Sequence, residues 1–272
     1  MTAVAEPWSV EQMVAMRDGM TISRDSRLGR ANTVIWFSLG AGTDISQEAY
    51  ERWALYLGGS GRVDFLVGEP RDRRGSRPDP EGGGRESRDV SGRPGVETGR
   101  AAETAPLMEQ LQAKEDPLPA GAAQIRTLLP GTMLLIPGGT LCGAESGGGA
   151  VYTEIIMQED PIIMNEQITP GKVMQLKDLV SYEEGSVVNF SIVSNKSLRF
   201  VLMAFDEGTA LNPHSAPGNA IVTALEGTGV IGYEGEEFEL KEGESFRFAK
   251  GGLHSVAALN GRFKMSLVLV LE

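Results

Sequence analysis

The sequence predicts an all-β protein made of two tandem copies of one unit. Three observations carry that prediction. One pattern of apolar residues and glycines occurs twice along the chain. Aromatic residues make up only 6% of the chain while glycines number 35, and short β-rich runs alternate with turn signals. Helical signals are confined to brief leaders.

The repeat is legible without gaps over long stretches. Met13-Val-Ala-Met-Arg-Asp-Gly19 lies over Leu179-Val-Ser-Tyr-Glu-Glu-Gly185, and Asn32 through Thr43 then lies over Leu198 through Thr209. Leu129 through Cys142 lies over Lys241 through His254. Each copy closes on an apolar strand, Val151 to Met157 and Lys264 to Leu271. A repeated supersecondary unit of this kind implies a duplicated domain. The expected division is 1–160 and 161–272, and a length of 272 residues with 41% hydrophobic content lets each part bury a core.

In chain order, Ser9-Val-Glu-Gln12 has the spacing of a capping box and opens a short helical leader. Strands are expected at Thr33 to Leu39, Trp53 to Leu57, Met133 to Ile136, Val187 to Val193, Arg199 to Phe205, Ala220 to Leu225, Gly229 to Tyr233 and Phe263 to Leu271. Tyr233-Glu-Gly-Glu-Glu-Phe238 reads as a hairpin in which Gly235 supplies positive φ. The first copy is interrupted by a foreign segment over residues 69–119, dense in arginine, glycine, proline and acids. Its first part buries too little to offset its ordering entropy and is expected to be disordered, while Ala105 to Lys114 suits a brief helix. It reads as a surface insertion at a hairpin tip, or more sharply as a docking loop for an acidic partner.

Composition narrows the function classes. A net charge of −12 disfavours a nucleic-acid partner. No apolar run approaches the length of about 18 residues that spans a bilayer, and the start Met1-Thr-Ala-Val-Ala-Glu-Pro-Trp8 lacks the marks of a secretory signal. The single cysteine, Cys142, suits a reducing compartment, so the expected location is cytoplasmic.

The chain has two histidines, and both fall in the second copy. Gly208-Thr-Ala-Leu-Asn-Pro-His214-Ser-Ala-Pro-Gly-Asn219 leads to Glu226-Gly227-Thr-Gly229, and Gly243-Glu-Ser-Phe-Arg-Phe-Ala-Lys-Gly-Gly-Leu-His254 follows. These runs resemble the two motifs of the cupin superfamily, and the duplication makes nearly the whole chain outside the insertion resemble a bicupin. The resemblance implies two jelly-roll β-barrels, each two antiparallel sheets around a cavity, with His214 and His254 pointing inward from neighbouring strands. Metal-holding members of that superfamily usually present a second histidine and a carboxylate. Here Ala216 stands in the place of that histidine, and Asn219 lies near the place of the carboxylate.

The resulting expectation is a small organic ligand in the second barrel, bound by His214 and His254 with Asn219, Asn212 and Ser215 as further contacts. The alternatives are a metalloenzyme of isomerase, dioxygenase or decarboxylase type, with a divalent iron, manganese, nickel or zinc ion on His214 and His254, and a scaffold with a partner-docking loop. The resemblance also implies either a monomeric pseudo-dimer or a homodimer. In the first copy the ungapped register sets Glu48 over His214, Tyr50 over Ala216 and Cys142 over His254. A two-residue gap would instead bring Ser46 into the place of Glu48. The first copy reads as scaffold.

Overall fold

Alternation of side chains across strands builds this molecule, because each strand offers one face to a barrel interior and the other to its surroundings. The computed structural model describes residues 6–29, 32–70, 123–158 and 162–271. In the first copy it contains α1 (Val10–Met13), β1 (Thr21–Asp25), β2 (Asn32–Leu39), β3 (Thr43–Ala49), β4 (Trp53–Gly61), β5 (Val63–Pro70), β6 (Gln124–Leu128), β7 (Thr132–Ile136), β8 (Thr140–Ser146) and β9 (Ala150–Met157). Two connecting strands follow, β10 (Ile163–Met164) and β11 (Val173–Gln175). The second copy contains β12 (Val187–Ser194), β13 (Leu198–Phe205), β14 (Ala210–Ser215), β15 (Asn219–Glu226), β16 (Thr228–Tyr233), β17 (Glu236–Lys241), β18 (Ser245–Phe248), β19 (Leu253–Ala257) and β20 (Phe263–Val270).

Among the described residues each copy has a six-stranded and a four-stranded antiparallel sheet. The larger sheets run β1-β2-β9-β4-β7-β11 and β10-β12-β13-β20-β15-β18, and the smaller ones β3-β8-β5-β6 and β14-β19-β16-β17. Every strand expected from the sequence is present. The capping box also forms, with the Ser9 backbone N–H donating to Gln12 Oε1 at 2.9 Å. The hairpin between β16 and β17 turns through Glu234 (φ 51°) and Gly235 (φ 91°). β5 and β6 pair directly, from Val63↔Leu128 to Val67↔Gln124, so the chain leaves and re-enters the first barrel at one hairpin. Strand β5 reaches Pro70, into the expected start of the insertion; the disorder and the brief helix expected beyond it lie outside the described residues.

Three apolar clusters hold the fold. One lies inside the first barrel, around Tyr56, Phe65 and Tyr152, and one inside the second, around Phe205, Phe246, Phe248 and Phe263. The third lies between the two large sheets, where Val34, Trp36, Leu55 and Ile155 meet Phe200, Leu202, Ile221 and Val268.

The leaders are exchanged. Trp8 pairs with Ser245 at the edge of the second copy's sheet, and β11, which leads into the second copy, pairs with β7 of the first. Hydrogen bonds reinforce the joint: Arg247 donates from both terminal nitrogens to the carbonyls of Ser26 and Arg27, and Asn32 donates to the Ser197 hydroxyl at 2.9 Å.

Candidate functional site

The two copies present corresponding residue pairs from corresponding strands. In the second barrel β14 and β19 set His214 opposite His254, and a bulge interrupts the register between Leu211 and His214. In the first, β3 and β8 set Glu48 opposite Cys142, with the bulge between Ile45 and Glu48. The matching bulges support the ungapped alignment and put Glu48, rather than Ser46, in the place of His214. An odd residue absorbed at a bulge re-aims the side chains beyond it, which is how each pair comes to share a face.

The imidazoles of His214 and His254 lie with ring centroids 4.2 Å apart. His214 is exposed and His254 half-buried, which places the pair at the mouth of the barrel. Each Nδ1–H donates to a backbone carbonyl two residues back, Asn212 at 2.8 Å and Gly252 at 3.2 Å. The neutral rings therefore keep Nε2 as an acceptor. Burial lowers the His254 pKa, the Gly252 carbonyl opposes that shift, and His214 adds to it. Below the pair aromatic rings pack together: His254 stacks on Phe248 at 4.1 Å, and Phe246, Phe248 and Tyr233 pack against one another.

Of the five residues expected around a ligand in this barrel, the structure brings only the histidines together. Asn219 lies one residue out of phase with the inward-facing Ala220, Val222 and Ala224. Its amide donates to the Leu28 carbonyl at 3.0 Å and accepts from the Lys250 N–H at 3.1 Å, so it ties the two copies together. Ser215 is exposed and out of phase with His214, and Asn212 is exposed, serving through its carbonyl.

The first barrel holds what sequence reasoning missed. Glu154, on β9, alternates with the core residues Tyr152 and Ile156 and is 5% exposed. Its strand neighbours are Tyr56 on β4 and Ile35 on β2. Burial pushes its carboxyl up to about 7, against the pull of hydrogen-bonding hydroxyls from Tyr50 and Tyr56, and Glu48 pushes the same way as burial. Cys142, buried, is pushed up to about 12 by desolvation; the Tyr56 hydroxyl opposes this and Glu154 reinforces it. The thiol is therefore protonated and inert at neutral pH. Burial and then Glu154 raise the Tyr50 phenol, while burial and then Cys142 raise that of Tyr56. Aromatic faces enclose the group: Tyr56 lies 4.4 Å from Phe65, and Tyr152 lies 5.5 Å from Phe65 and stacks on Phe37 at 5.2 Å. A lone acid at an inward position of an apolar strand was the available signal.

Comparison with known proteins agrees with this architecture. Residues 201–271 match the Cupin domain family model. A Cupin 2 conserved barrel domain protein from Leptotrichia buccalis superposes over 98% of this chain and 97% of its own, with 22% identity and a TM-score of 0.70. The fold is that of a two-barrel cupin. An oxalate decarboxylase from Lactobacillus farciminis, solved as a formate complex, aligns over 100% of this chain and 87% of its own at 9% identity and TM-score 0.52. YlbA from E. coli aligns over 97% and 89% at 9% identity and TM-score 0.52. No curated protein sequence matches the chain.

Read as a cupin, the chain departs from a metal centre in its donor set. Among the described residues no three His, Cys, Asp or Glu side chains converge to hold a metal ion. Two imidazoles at a barrel mouth bind a divalent ion weakly at neutral pH, and the first copy offers only Glu48 and Cys142 at the corresponding place. The described residues do not supply the donor set of a resident metal. Among the described residues no helix is long and apolar enough to cross a membrane.

Proposed function

We propose that this cupin binds a small organic molecule and that the ligand enters the first barrel. The observation that carries this reading is the buried Glu154 carboxyl with Tyr50, Tyr56 and Tyr152 around it. Matching the paired strands of the two copies sets Ala216, Val222, Met265 and Leu267 at the positions of Tyr50, Tyr56, Tyr152 and Glu154. An apolar interior is thus compatible with this barrel, and burying a carboxyl instead costs stability. Polar groups that converge inside an apolar barrel and carry displaced pKa values favour a binding site.

A second reading keeps the ligand at the mouth of the second barrel, as the sequence alone suggests. It rests on the two Nε2 acceptors of His214 and His254, whose Nδ1–H groups are already committed. A thermal-shift screen with a chemically diverse set of small molecules separates the two. The proposal expects stabilising compounds to act on the parent and on the His214→Ala/His254→Ala variant, and to lose their effect on Glu154→Leu. Loss in the histidine variant alone moves the site to the second barrel.

A further inference from the structure

We infer that the ligand of the first barrel carries a primary ammonium group, an inference that rests on the proposed site and names its ligand class. The interior offers acceptors and aromatic faces. Among the described residues of the first copy no lysine, arginine or histidine is buried, and the groups that join burial in raising the pKa values of Tyr50, Tyr56, Cys142, Tyr152 and Glu154 are carboxylates, phenols and the thiol.

A second observation points the same way. Thr140 is 3% exposed and its Oγ1 has no hydrogen-bond partner. It precedes Cys142 by two residues on β8 and so shares its inward face. Continuing the Ala49↔Leu141 register sets it across from Tyr50. An unsatisfied buried hydroxyl is costly unless a ligand engages it.

An ammonium group has three N–H donors, and the barrel supplies the Glu154 carboxylate, Thr140 Oγ1 and phenolic oxygens to receive them. Glu48, exposed at the rim, adds a second negative charge on the entry side. The faces of Tyr56, Tyr152 and Phe65 suit a cation and its alkyl stem. An anionic ligand would meet repulsion from both carboxylates, and a neutral alcohol would leave them without a counter-charge.

The test is calorimetric titration of the full chain with butylammonium, butan-1-ol and butyrate at pH 8. Butylammonium is expected to bind saturably and at least tenfold more tightly than the other two. Glu154→Gln, which keeps the side-chain shape, is expected to weaken it at least tenfold. The unmodified protein gives a second readout: butylammonium affinity should fall about tenfold or more between pH 8 and pH 5.5 as Glu154 gains a proton. Of the groups facing Glu154, Tyr50, Tyr56, Tyr152 and Cys142 stay neutral over that range, Ile35 is uncharged, and Glu48 is the other carboxylate. Equal or tighter binding of alcohol or butyrate, lost in Glu154→Leu, overturns the ammonium inference and leaves the site standing. Butylammonium binding that ignores both Glu154→Gln and pH, or no saturable binding by any probe, overturns both.

Discussion

Glu154 makes the stability of this protein fall as pH rises through neutrality. Its carboxyl is held at about 7 in the folded chain against a reference of 4.5. The folded state therefore binds more protons than the unfolded state between those values. Its contribution is fully present below about pH 4.5, declines as pH rises, and is gone above about pH 7. A displacement of that size is worth about 3 kcal/mol, most of it lost between pH 5 and pH 8. The assay is urea unfolding of the parent and of Glu154→Gln at half-unit steps across that range. Subtracting the two curves removes every other titrating group. The difference should rise in favour of Gln by about 2 to 3 kcal/mol from pH 5 to pH 8 and be flat above. Parallel curves would refute the reasoning, because they would mean that the carboxyl titrates as if exposed. Glu154→Leu, which copies Leu267 of the second barrel, should also abolish the slope. It should cost about 1 to 3 kcal/mol relative to Gln at pH 5, because the Tyr50 and Tyr56 hydroxyls lose their acceptor.

His254 is expected to act with the opposite sign. Its lowered pKa means that stability is present above about pH 6.5 and is lost as pH falls through the folded value; in a Glu154→Gln background, His254→Gln should flatten the fall in melting temperature between pH 7.5 and pH 5. Leu202→Ala removes a fully buried side chain from the cluster between the two sheets and should cost about 2 to 5 kcal/mol, with a calorimetric endotherm that shifts as one peak. Cys142, 7% exposed and protonated, should react with a thiol reagent at pH 8 only at the rate of unfolding, and urea should accelerate the reaction.

The duplicated fold was legible because glycines and apolar positions keep their spacing through both copies, and the same spacing carried Cys142 onto His254 and Glu48 onto His214. Strand recognition failed where composition argued against it. β8 contains Gly143 and β14 contains Pro213, yet both pair along β-bulged registers that tolerate them. Asn219 was misread because a shift of one residue moves a side chain to the opposite face, and closeness in sequence to His214 says nothing about phase. Glu154 shares β9 with Tyr152, but Tyr56 comes from β4 and Tyr50 from the turn before it, and only the closed barrel brings them together. Their convergence depends on register, which the local pattern of any one strand leaves open.

The central claim, that the ligand occupies the first barrel, is tested most directly through the tyrosines. The chain has five. Tyr50, Tyr56 and Tyr152 line the first barrel, Tyr233 stands opposite His254, and Tyr182 donates to Glu226 and lies beneath Arg262 and Lys264. With tyrosine labelled at the ζ-carbon, a titration with the first stabilising compound from the screen should shift the resonances of Tyr50, Tyr56 and Tyr152 together and saturably. Those of Tyr182 and Tyr233 should stay in place. Shifts confined to Tyr233 would contradict the account and return the ligand to the histidine pair of the second barrel.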